Sequence, residues 1–397
     1  MTAAKKKEML MFSLESLRAK HGDALLLHYG TKEDPKLIVI DAGPAGVFND
    51  AVKRRLNEIR KERELADDKP LPIELMMVSH LDADHITGII ELMRDLKKRR
   101  EAKTPLPWKI ARFWHNAFED LIDDTLAPAS TAALAPASFG DVLPVDPKKG
   151  ESEASVVLAS VGQGRDLRDL IKFFKLQGNT PFKSLVQFPH KSNPVKLGEL
   201  ELTIVGPDQE NLANLRKDWI EKIKPILAKE DKAAKAEVAA YADKSVYNLS
   251  SIVVYVKSGD RTMLLTGDAR GDYTLTALEG AGLLEEGGTM EVDILKLPHH
   301  GSDRNVKSDY FERIRAKHYV ISADGKHTNP DVPTLKMISA ARPDDDFTIW
   351  MANAPEDFAE KEVGEEVAKF FAEEKKKGRK YRVILRKKED LGVRIDL

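Results

Sequence analysis

Short apolar segments of strand-like composition recur along the chain, and each stops at a turn signal or at a cluster of polar residues. Residues 24–30 (ALLLHYG) and 36–44 (KLIVIDAGP) flank the charged turn TKEDP, and residues 73–80 (IELMMVSH) form a third apolar run. Residues 250–269 (SSIVVYVKSGDRTMLLTGDA) have the pattern of a hairpin, and residues 292–302 (VDILKLPHHGS) follow. Short apolar runs bounded by turn residues are typical of buried β-strands. The chain is therefore predicted to build its core from buried strands.

Helical segments separate these strands. Residues 48–65 and 87–100 have helical spacing, and the second segment ends in a basic turn that complements the helix dipole. A short amphipathic helix is predicted at 167–178 and a charged helix at 357–376, while residues 381–397 have the pattern of a final hairpin. Strands in two groups with helices between them predict an α/β fold in which helices cover the outer faces of two facing sheets.

Two long segments interrupt this pattern. Residues 126–160 contain an Ala/Pro/Ser-rich stretch, LAPASTAALAPASFG, which predicts a surface loop insertion. Residues 210–244 are a charged helical stretch interrupted by Pro225. A solvated helical insertion is the simplest interpretation, and an arm that grips a partner or the substrate is the alternative. The chain is otherwise predicted to be one domain over residues 9–397.

Composition limits the chemistry that the chain can perform. There is no cysteine, so any metal ion would have to be bound by His, Asp or Glu. The 63 Lys and Arg residues are balanced by 65 Asp and Glu residues, which argues against a general affinity for nucleic acid but leaves a local basic face open. The chain has neither a signal-peptide pattern nor a long apolar run, and a cytoplasmic protein without membrane contact is predicted.

Residues of the kind that bind metal ions cluster where the predicted strands end. The segment 79–85, SHLDADH, has two histidines and two aspartates, Asp268 follows a second apolar run, and His299 and His300 follow a third. Each cluster alone has an ordinary interpretation, such as a helix cap at Asp84 or a polar turn. Strand ends are rigid, as a metal site requires. Three such clusters at three strand ends indicate a shared metal centre.

The order of these motifs resembles that of the metallo-β-lactamase superfamily. The segments concerned are GDALLLHY…LIVIDAG, SHLDADHITG, NLSSIVVYV, LLTGDA and DILKLPHHGS. They are most similar to the branch that includes the ComEC hydrolase domain and phosphorylcholine esterase. The resemblance implies a four-layer αββα sandwich, here with helical and loop insertions, and two metal ions at one edge of the facing sheets.

The resemblance also implies a set of metal ligands. The six residues are His80, Asp82, Asp84, His85, Asp268 and His300. The first two would bind one ion, the next two and His300 would bind the second ion, and Asp268 would bridge them.

Three residues have further roles by the same resemblance. Asp41 would orient the metal ligands through hydrogen bonds. His299 would face the substrate as a hydrogen-bond donor or as an acid for the leaving group. His299 and Asp84 are the two residues expected to take part in catalysis.

Two positions depart from the superfamily pattern HxHxDH. Asp82 stands where a second histidine is usual, and an oxygen ligand favours harder ions, so Mn²⁺ suits the site as well as Zn²⁺. The third histidine of the first site is missing from the segment TIVGPDQE. Asp208 and His115 are the candidate replacements, although the first also fits a helix cap and the second an ordinary strand-end histidine. His327 lies near the place where relatives carry a histidine.

These observations predict a metal-dependent hydrolase of phosphodiester bonds. Two divalent ions about 3.5–4 Å apart activate a bridging water as hydroxide and clamp both oxygens of an in-line displacement. The expected substrate is a phosphoester, with nucleic acid first by the resemblance, although the basic runs at 97–100, 375–377 and 386–388 are weak support. One alternative is a small-molecule phosphodiesterase or phosphorylcholine-type esterase. The other is a weakly active metal-binding scaffold subunit that contacts a protein partner through its insertions.

Overall fold

The computed structural model describes residues 10–116, 153–210, 212–213 and 250–397. The strands are β1 (Met11–Leu17), β2 (Leu25–Gly30), β3 (Pro35–Ile40), β4 (Leu71–Ile73), β5 (Leu75–Met77), β6 (Trp108–Ile110), β7 (Arg112–Trp114), β8 (Gln177–Gly178), β9 (Val195–Leu197), β10 (Leu200–Gly206), β11 (Val253–Ser258), β12 (Arg261–Leu265), β13 (Met290–Lys296), β14 (Ile314–Ile321), β15 (Thr348–Met351), β16 (Arg382–Leu385) and β17 (Gly392–Asp396). The α-helices are α1 (Lys53–Glu62), α2 (Ala83–Glu101), α3 (Glu153–Phe174), α4 (Gly271–Gly280), α5 (Ser308–Arg313), α6 (Val332–Ala341) and α7 (Lys361–Lys376).

The strands form two large sheets. The first has the order β17-β1-β2-β3-β5-β7-β8, and the second has the order β16-β15-β14-β13-β12-β11-β10-β9. In the first sheet β3, β5, β7 and β8 run parallel, and in the second sheet β12 to β16 run parallel. The remaining neighbours within these two sheets are antiparallel, and β4 and β6 form a separate two-stranded parallel sheet. Parallel strands end at a common edge, which is where a site built from strand ends must lie.

The two sheets are packed face to face between two layers of helices. Alternate residues of β3 face opposite sides: Leu37 and Val39 join the apolar cluster that contains residues of α1, α2 and α3, whereas Ile38 and Ile40 join the cluster between the sheets. A third cluster packs α4 to α7 on the outer face of the second sheet. β3 therefore buries both of its faces, because its alternate side chains point to opposite sides of the sheet. The predicted αββα sandwich is confirmed.

Residues 381–397 do not form the predicted hairpin. β16 pairs in parallel with β15 in the second sheet, whereas β17 pairs antiparallel with β1 in the first sheet. The segment between them crosses from one sheet to the other. Arg386 holds this crossing in place, because its guanidinium donates hydrogen bonds to the carbonyls of Ala352 and Asp390. β16 and β17 have the sequence pattern of a hairpin, but each pairs with a strand of a different sheet instead of with the other.

The two predicted insertions fall mostly outside the described residues. Residues 117–152 and 214–249 are not described, so the loop predicted up to residue 152 and most of the stretch 210–244 remain predictions. α3 begins at Glu153, earlier than the predicted helix at 167, so residues 153–160 of the predicted loop are helical. In the part of the chain that the structure describes, no helix combines the length and apolar character needed to cross a membrane.

Candidate metal centre

The predicted ligands lie at one edge of the facing sheets. The segment 79–85 follows β5 in the first sheet, and Asp268 and His300 follow β12 and β13 in the second sheet. A backbone hydrogen bond joins the two sheets at this edge, because the amide N of Ile252 donates to the carbonyl O of Ser79 over 2.8 Å. Side chains that are far apart in the chain thereby meet around a common space.

One group of potential ligands surrounds His80. Its Nε2 atom lies 3.5 Å from Asp82 Oδ2 and 3.6 Å from Asp268 Oδ2. His80 and Asp268 are buried, whereas the side chain of Asp82 is partly exposed. The group offers one ring nitrogen and two carboxylates, the donor set that the sequence predicts for the first ion.

A second group shares Asp268 with the first. His85 Nε2 lies 3.4 Å from Asp268 Oδ1 and 3.3 Å from His300 Nε2. His300 Nε2 lies 3.5 Å from Asp268 Oδ2 and 3.4 Å from Asp84 Oδ2. The structure thus brings all six predicted ligands together in two groups that meet at Asp268.

Asp41 and Ser79 orient the histidines of both groups. Asp41 accepts hydrogen bonds from the Ser79 amide N at 2.8 Å and the Ser79 hydroxyl at 2.6 Å, and Asp41 Oδ2 lies 2.9 Å from His85 Nδ1. Since the Ser79 hydroxyl donates to Asp41, its oxygen is free to accept from His80 Nδ1 at 3.0 Å. Both rings therefore carry their proton on Nδ1 and present Nε2 to the shared space, which is the arrangement of metal-binding histidines.

Asp23 and Lys296 support His300 in a similar way, and sequence reasoning assigned them no role. His300 Nδ1 donates to the carbonyl O of Ser322 at 2.9 Å and lies 3.4 Å from Asp23 Oδ1. Lys296 Nζ lies 2.8 Å from Asp23 Oδ2. Asp23 belongs with His85, Asp268 and His300 to a buried set whose ligand atoms lie within 4.8 Å of one another. The motif GDA, which contains Asp23, is the signal that would have identified it.

The geometry of the cluster fits metal ions. Two ligands at about 2.0–2.1 Å from a tetrahedral zinc ion lie about 3.3 Å apart, close to the separations in both groups. Within the described part of the chain, His80 Nε2 and Asp268 Oδ1 are buried without a hydrogen-bond partner. A buried polar atom without a partner costs about 1–3 kcal/mol, and a bound cation would remove that cost at both atoms. Nitrogen and carboxylate donors suit Zn²⁺ and Mn²⁺ alike.

The charges of the cluster are strongly coupled. Burial disfavours the charged form of His85 and of His300, but Asp268 and the other nearby carboxylates outweigh burial and hold the pKa of both rings well above its ordinary value. Burial likewise opposes ionisation of Asp268, yet His300, His85 and the neighbouring histidines hold its pKa well below its ordinary value. The carboxylates of the cluster thus favour positive charge in the space between them.

His299 differs from the other site histidines in its exposure. Its side chain is 31% exposed, and its Nε2 lies 3.7 Å from Asp268 Oδ2. Its Nδ1 lies 2.8 Å from Asn305 Oδ1, while Asn305 Nδ2 donates to the carbonyl O of Asp268. The backbone of His299 and His300 is left-handed, with φ of 47° and 55°. Such backbone in residues other than glycine is uncommon and clusters at functional sites.

The remaining candidates lie outside these two ligand groups. His115 follows β7 and lines a cavity of its own, and Asp208 follows β10, where its backbone bridges to Phe188. Their role as a third ligand of the first ion stays a prediction. The ring of His327 packs 5.9 Å from that of His21. Burial lowers the pKa of His21 to about 4, which Asp84 partly opposes, so both rings belong to the rim beside the second group.

Comparison with known proteins finds structural neighbours. No family model and no curated protein matches the chain. The metallo-β-lactamase fold protein YhfI from Bacillus subtilis matches 98% of this chain and 100% of its own at 9% identity, with a TM-score of 0.39. Zn²⁺-bound PqqB from Methylobacterium extorquens matches 97% of this chain and 100% of its own at 8% identity, with a TM-score of 0.36.

A third neighbour is larger than this chain. CmlA, a diiron β-hydroxylase from Streptomyces venezuelae, matches 99% of this chain at 12% identity with a TM-score of 0.37, but the match spans only 54% of CmlA. At such identities and scores the likeness says nothing about activity. The assignment of the fold rests on the layers and strand order described above, and the ComEC-like branch stays a prediction.

Proposed function

We propose that this chain is a metal-dependent hydrolase of phosphodiester bonds with two divalent metal ions. The observation that carries the proposal is the pair of ligand groups that share Asp268, each with ring nitrogens and carboxylates at ligand-to-ligand distances. One carboxylate between two ligand groups is the arrangement that holds two ions side by side. His80 and Asp82 would hold the first ion, and Asp84, His85 and His300 would hold the second.

The bound ions would supply a nucleophile at neutral pH and would neutralise charge on the phosphate oxygens. The protein supplies the rest of the chemistry. Attack of a water oxygen on phosphorus breaks the bond to the leaving oxygen, which must take up a proton. We assign that step to His299, because its side chain is partly exposed beside Asp268 and its Nδ1 is held by Asn305. Its Nε2 would deliver the proton, while Asp84 would hold its ion and border the bound phosphate.

The donor set supports zinc or manganese as the metal. Asp82 and Asp84 supply carboxylate oxygens where the superfamily pattern has a histidine and an aspartate, so the first ion has one nitrogen fewer. This shift toward oxygen ligands favours Mn²⁺ relative to a site rich in histidine. Nucleic acid is the substrate we propose first, on the basis of the motif resemblance.

The decisive experiment combines metal analysis with a substrate panel. Protein purified without added metal is analysed for bound metal and is then loaded with Zn²⁺ or Mn²⁺. Each form is incubated with single- and double-stranded DNA and RNA, with bis-p-nitrophenyl phosphate and with p-nitrophenyl phosphorylcholine. An Asp268→Asn variant serves as the control for contaminating activity.

We expect two equivalents of metal and cleavage of the diester reporter and of at least one nucleic acid, with both lost in Asp268→Asn. Cleavage restricted to the phosphorylcholine ester would favour the esterase alternative. Absence of bound metal together with no gain of activity on loading would refute the hydrolase proposal and favour a scaffold subunit.

A further inference from the structure

A cavity of about 750 Å³ lies at the end of β7. β7 pairs with β5, the strand that leads into the segment 79–85. The polar residues that line the cavity include His115, Arg168, Lys172, Asn179, Lys183 and Gln187. It is formed where α3 passes over the end of β7 and the segment after β8. The six predicted metal ligands do not line it, so it is a separate feature of the same edge.

His115 is held rigidly in the wall of this cavity. The side chain of Asn179 accepts a hydrogen bond from the His115 amide N at 2.9 Å and donates one to the His115 carbonyl O at 2.7 Å. His115 is only 7% exposed, yet neither of its ring nitrogens has a hydrogen-bond partner among the residues that the structure describes. Buried polar groups are rarely left unpaired, and the exceptions call for a ligand or a functional reason. A fixed imidazole that faces a cavity with both nitrogens unpaired indicates a missing ligand.

The cavity is cationic. Arg168, Lys172 and Lys183 line it, and no carboxylate is among its described lining residues. The chain as a whole has a net charge of -2, so this concentration of positive charge is local. Amide side chains and basic side chains together are suited to an anion with several oxygen acceptors, such as a phosphate group.

The cavity adjoins the metal centre. The amide N of Val78 donates to the carbonyl O of Trp114 over 2.9 Å, so the two chain segments run side by side as they leave the sheet. The next residues are Ser79 and His80 on one segment and His115 on the other. Neighbouring strands lie about 4.8 Å apart, which places the cavity one strand away from His80.

We propose that this cavity binds a second phosphate of the substrate, next to the phosphate that is cleaved. This inference rests on the proposed hydrolase function and narrows the substrate class to chains of phosphodiesters, such as single-stranded oligonucleotides. Lys172 and Lys183 pair with the phosphate from the open side, while His115 donates a hydrogen bond from within. Substrates with one isolated phosphodiester do not reach the cavity.

Binding can be measured without turnover. Fluorescence anisotropy of a labelled pentathymidylate is recorded with metal-free protein in a chelator over a series of salt concentrations. Each phosphate contact contributes about 0.7 to the slope of log K against log salt for a single strand. We expect the Lys172→Ala/Lys183→Ala double variant to bind at least tenfold more weakly, with a slope smaller by about 0.7 because one phosphate contact is lost. His115→Gln is expected to weaken binding several-fold.

The matched control is Lys369→Ala on the exposed face of α7, which should leave both the affinity and the slope unchanged. Equal effects of the control and the double variant, or an unchanged slope in the double variant, would overturn the proposal. Loss of bound metal in His115→Gln would also overturn it, because His115 would then belong to the metal centre.

A kinetic comparison separates this inference from the proposed function. The double variant should raise KM for oligonucleotides and leave the rate with bis-p-nitrophenyl phosphate unchanged. Failure to cleave any diester would refute the hydrolase function while the anisotropy still tests the cavity. If the wild type and the double variant both cleave the reporter and have the same KM for oligonucleotides, the cavity proposal is refuted and the hydrolase function is not.

Discussion

Lys296 Nζ lies 2.8 Å from Asp23 Oδ2, and both side chains are almost completely removed from solvent, at 0% and 1% exposure. Lys296 also donates to the carbonyl O of Leu297, and the other oxygen of Asp23 faces His300. Burial opposes ionisation of Asp23, but Lys296 and His300 outweigh burial and lower its pKa to about 2. Asp23 is therefore ionised, and the pair connects the core of the second sheet to a predicted metal ligand.

Removing one member of this pair should destabilise the protein strongly. Lys296→Met leaves the Asp23 carboxylate buried without its cation, and the loss of one partner of a buried pair costs about 3–5 kcal/mol. Asp23→Asn should cost a similar amount. The Asp23→Asn/Lys296→Met double variant should recover much of this stability, because neither charge then remains buried. Urea unfolding of the metal-free proteins measures the free energy of unfolding of the two single variants and the double variant.

Metal affinity distinguishes positioning of His300 from a purely structural pair. The double variant should still bind metal more weakly than the wild type, because His300 has lost the carboxylate beside Nδ1. Full recovery of both stability and metal affinity would show that the pair serves stability alone.

Asp41→Asn should lower metal affinity by about 10- to 100-fold, the range for partners that orient metal-binding histidines. An amide in place of the carboxylate weakens the hydrogen bonds from Ser79 and His85. The ring of His85, and the ring of His80 that Ser79 holds, would then lose their fixed orientation. Competition with a chromophoric chelator measures the affinity. An exposed carboxylate variant, Glu58→Gln on α1, is the control, and an equal loss there would contradict the interpretation.

His299→Ala should reduce turnover at least tenfold without changing the metal content. General acid catalysis contributes about 10²–10⁴-fold, and the leaving oxygen of an activated ester needs the proton least. The reduction should therefore be smaller for p-nitrophenyl esters than for oligonucleotides. Asn305→Ala should show a milder form of the same pattern, since Asn305 fixes Nδ1 of the ring. Metal loss in His299→Ala would instead make it a ligand.

Gly88→Ala should destabilise the fold and disturb the second ligand group. A Cβ atom at Gly88 would lie 1.9 Å from the carbonyl O of Ala42, so α2 would have to move away from the first sheet. Such overpacking costs about 1–3 kcal/mol or more. His85 lies one turn earlier on the same helix and would move with it. Gly178→Ala, which adds a Cβ atom to open space, is the control for both thermal unfolding and metal affinity.

Stability should fall on acidification because of Glu15 and His28. Their side chains lie 3.2 Å apart in a buried cluster with Arg55. Burial lowers the pKa of His28 in spite of Glu15, and the pKa of Glu15 is lowered because His28 and Arg55 outweigh burial. Both groups bind protons more readily in the unfolded protein than in the folded protein. Their contribution to the free energy of unfolding is therefore complete above their unfolded pKa values, about 6.5 for His28 and about 4.3 for Glu15. It is lost as the pH falls through their lower pKa values in the folded protein.

The His28→Gln variant tests this. Its free energy of unfolding should depend less steeply on pH between 7 and 4 than that of the wild type, as measured by denaturant titration at each pH. His190→Gln, outside this cluster, should retain the slope of the wild type. A steeper slope in His28→Gln would reverse the assignment.

Local patterns account for the parts of the fold that depend on local physics. The alternation in β3 predicts a strand buried on both faces, and Leu37 and Ile38 indeed face different apolar clusters. The clusters at 79–85 and at His299 and His300 could be identified because a polar residue directly after a buried strand is conspicuous. The hairpin predicted at 381–397 is wrong because its two strands find partners in different sheets.

The sequence by itself determined the chemistry of this protein: buried strands, no thiolate ligands, and histidines and aspartates at strand ends. Only the tertiary structure decided which strand ends share an edge, that Asp268 stands between two ligand groups, and that the buried charge of Lys296 meets Asp23. It also decided that His115 faces a cationic cavity rather than the apolar core. The physical reason is that burial and periodicity are properties of neighbouring residues, whereas distances between strand ends follow from the packing of two whole sheets.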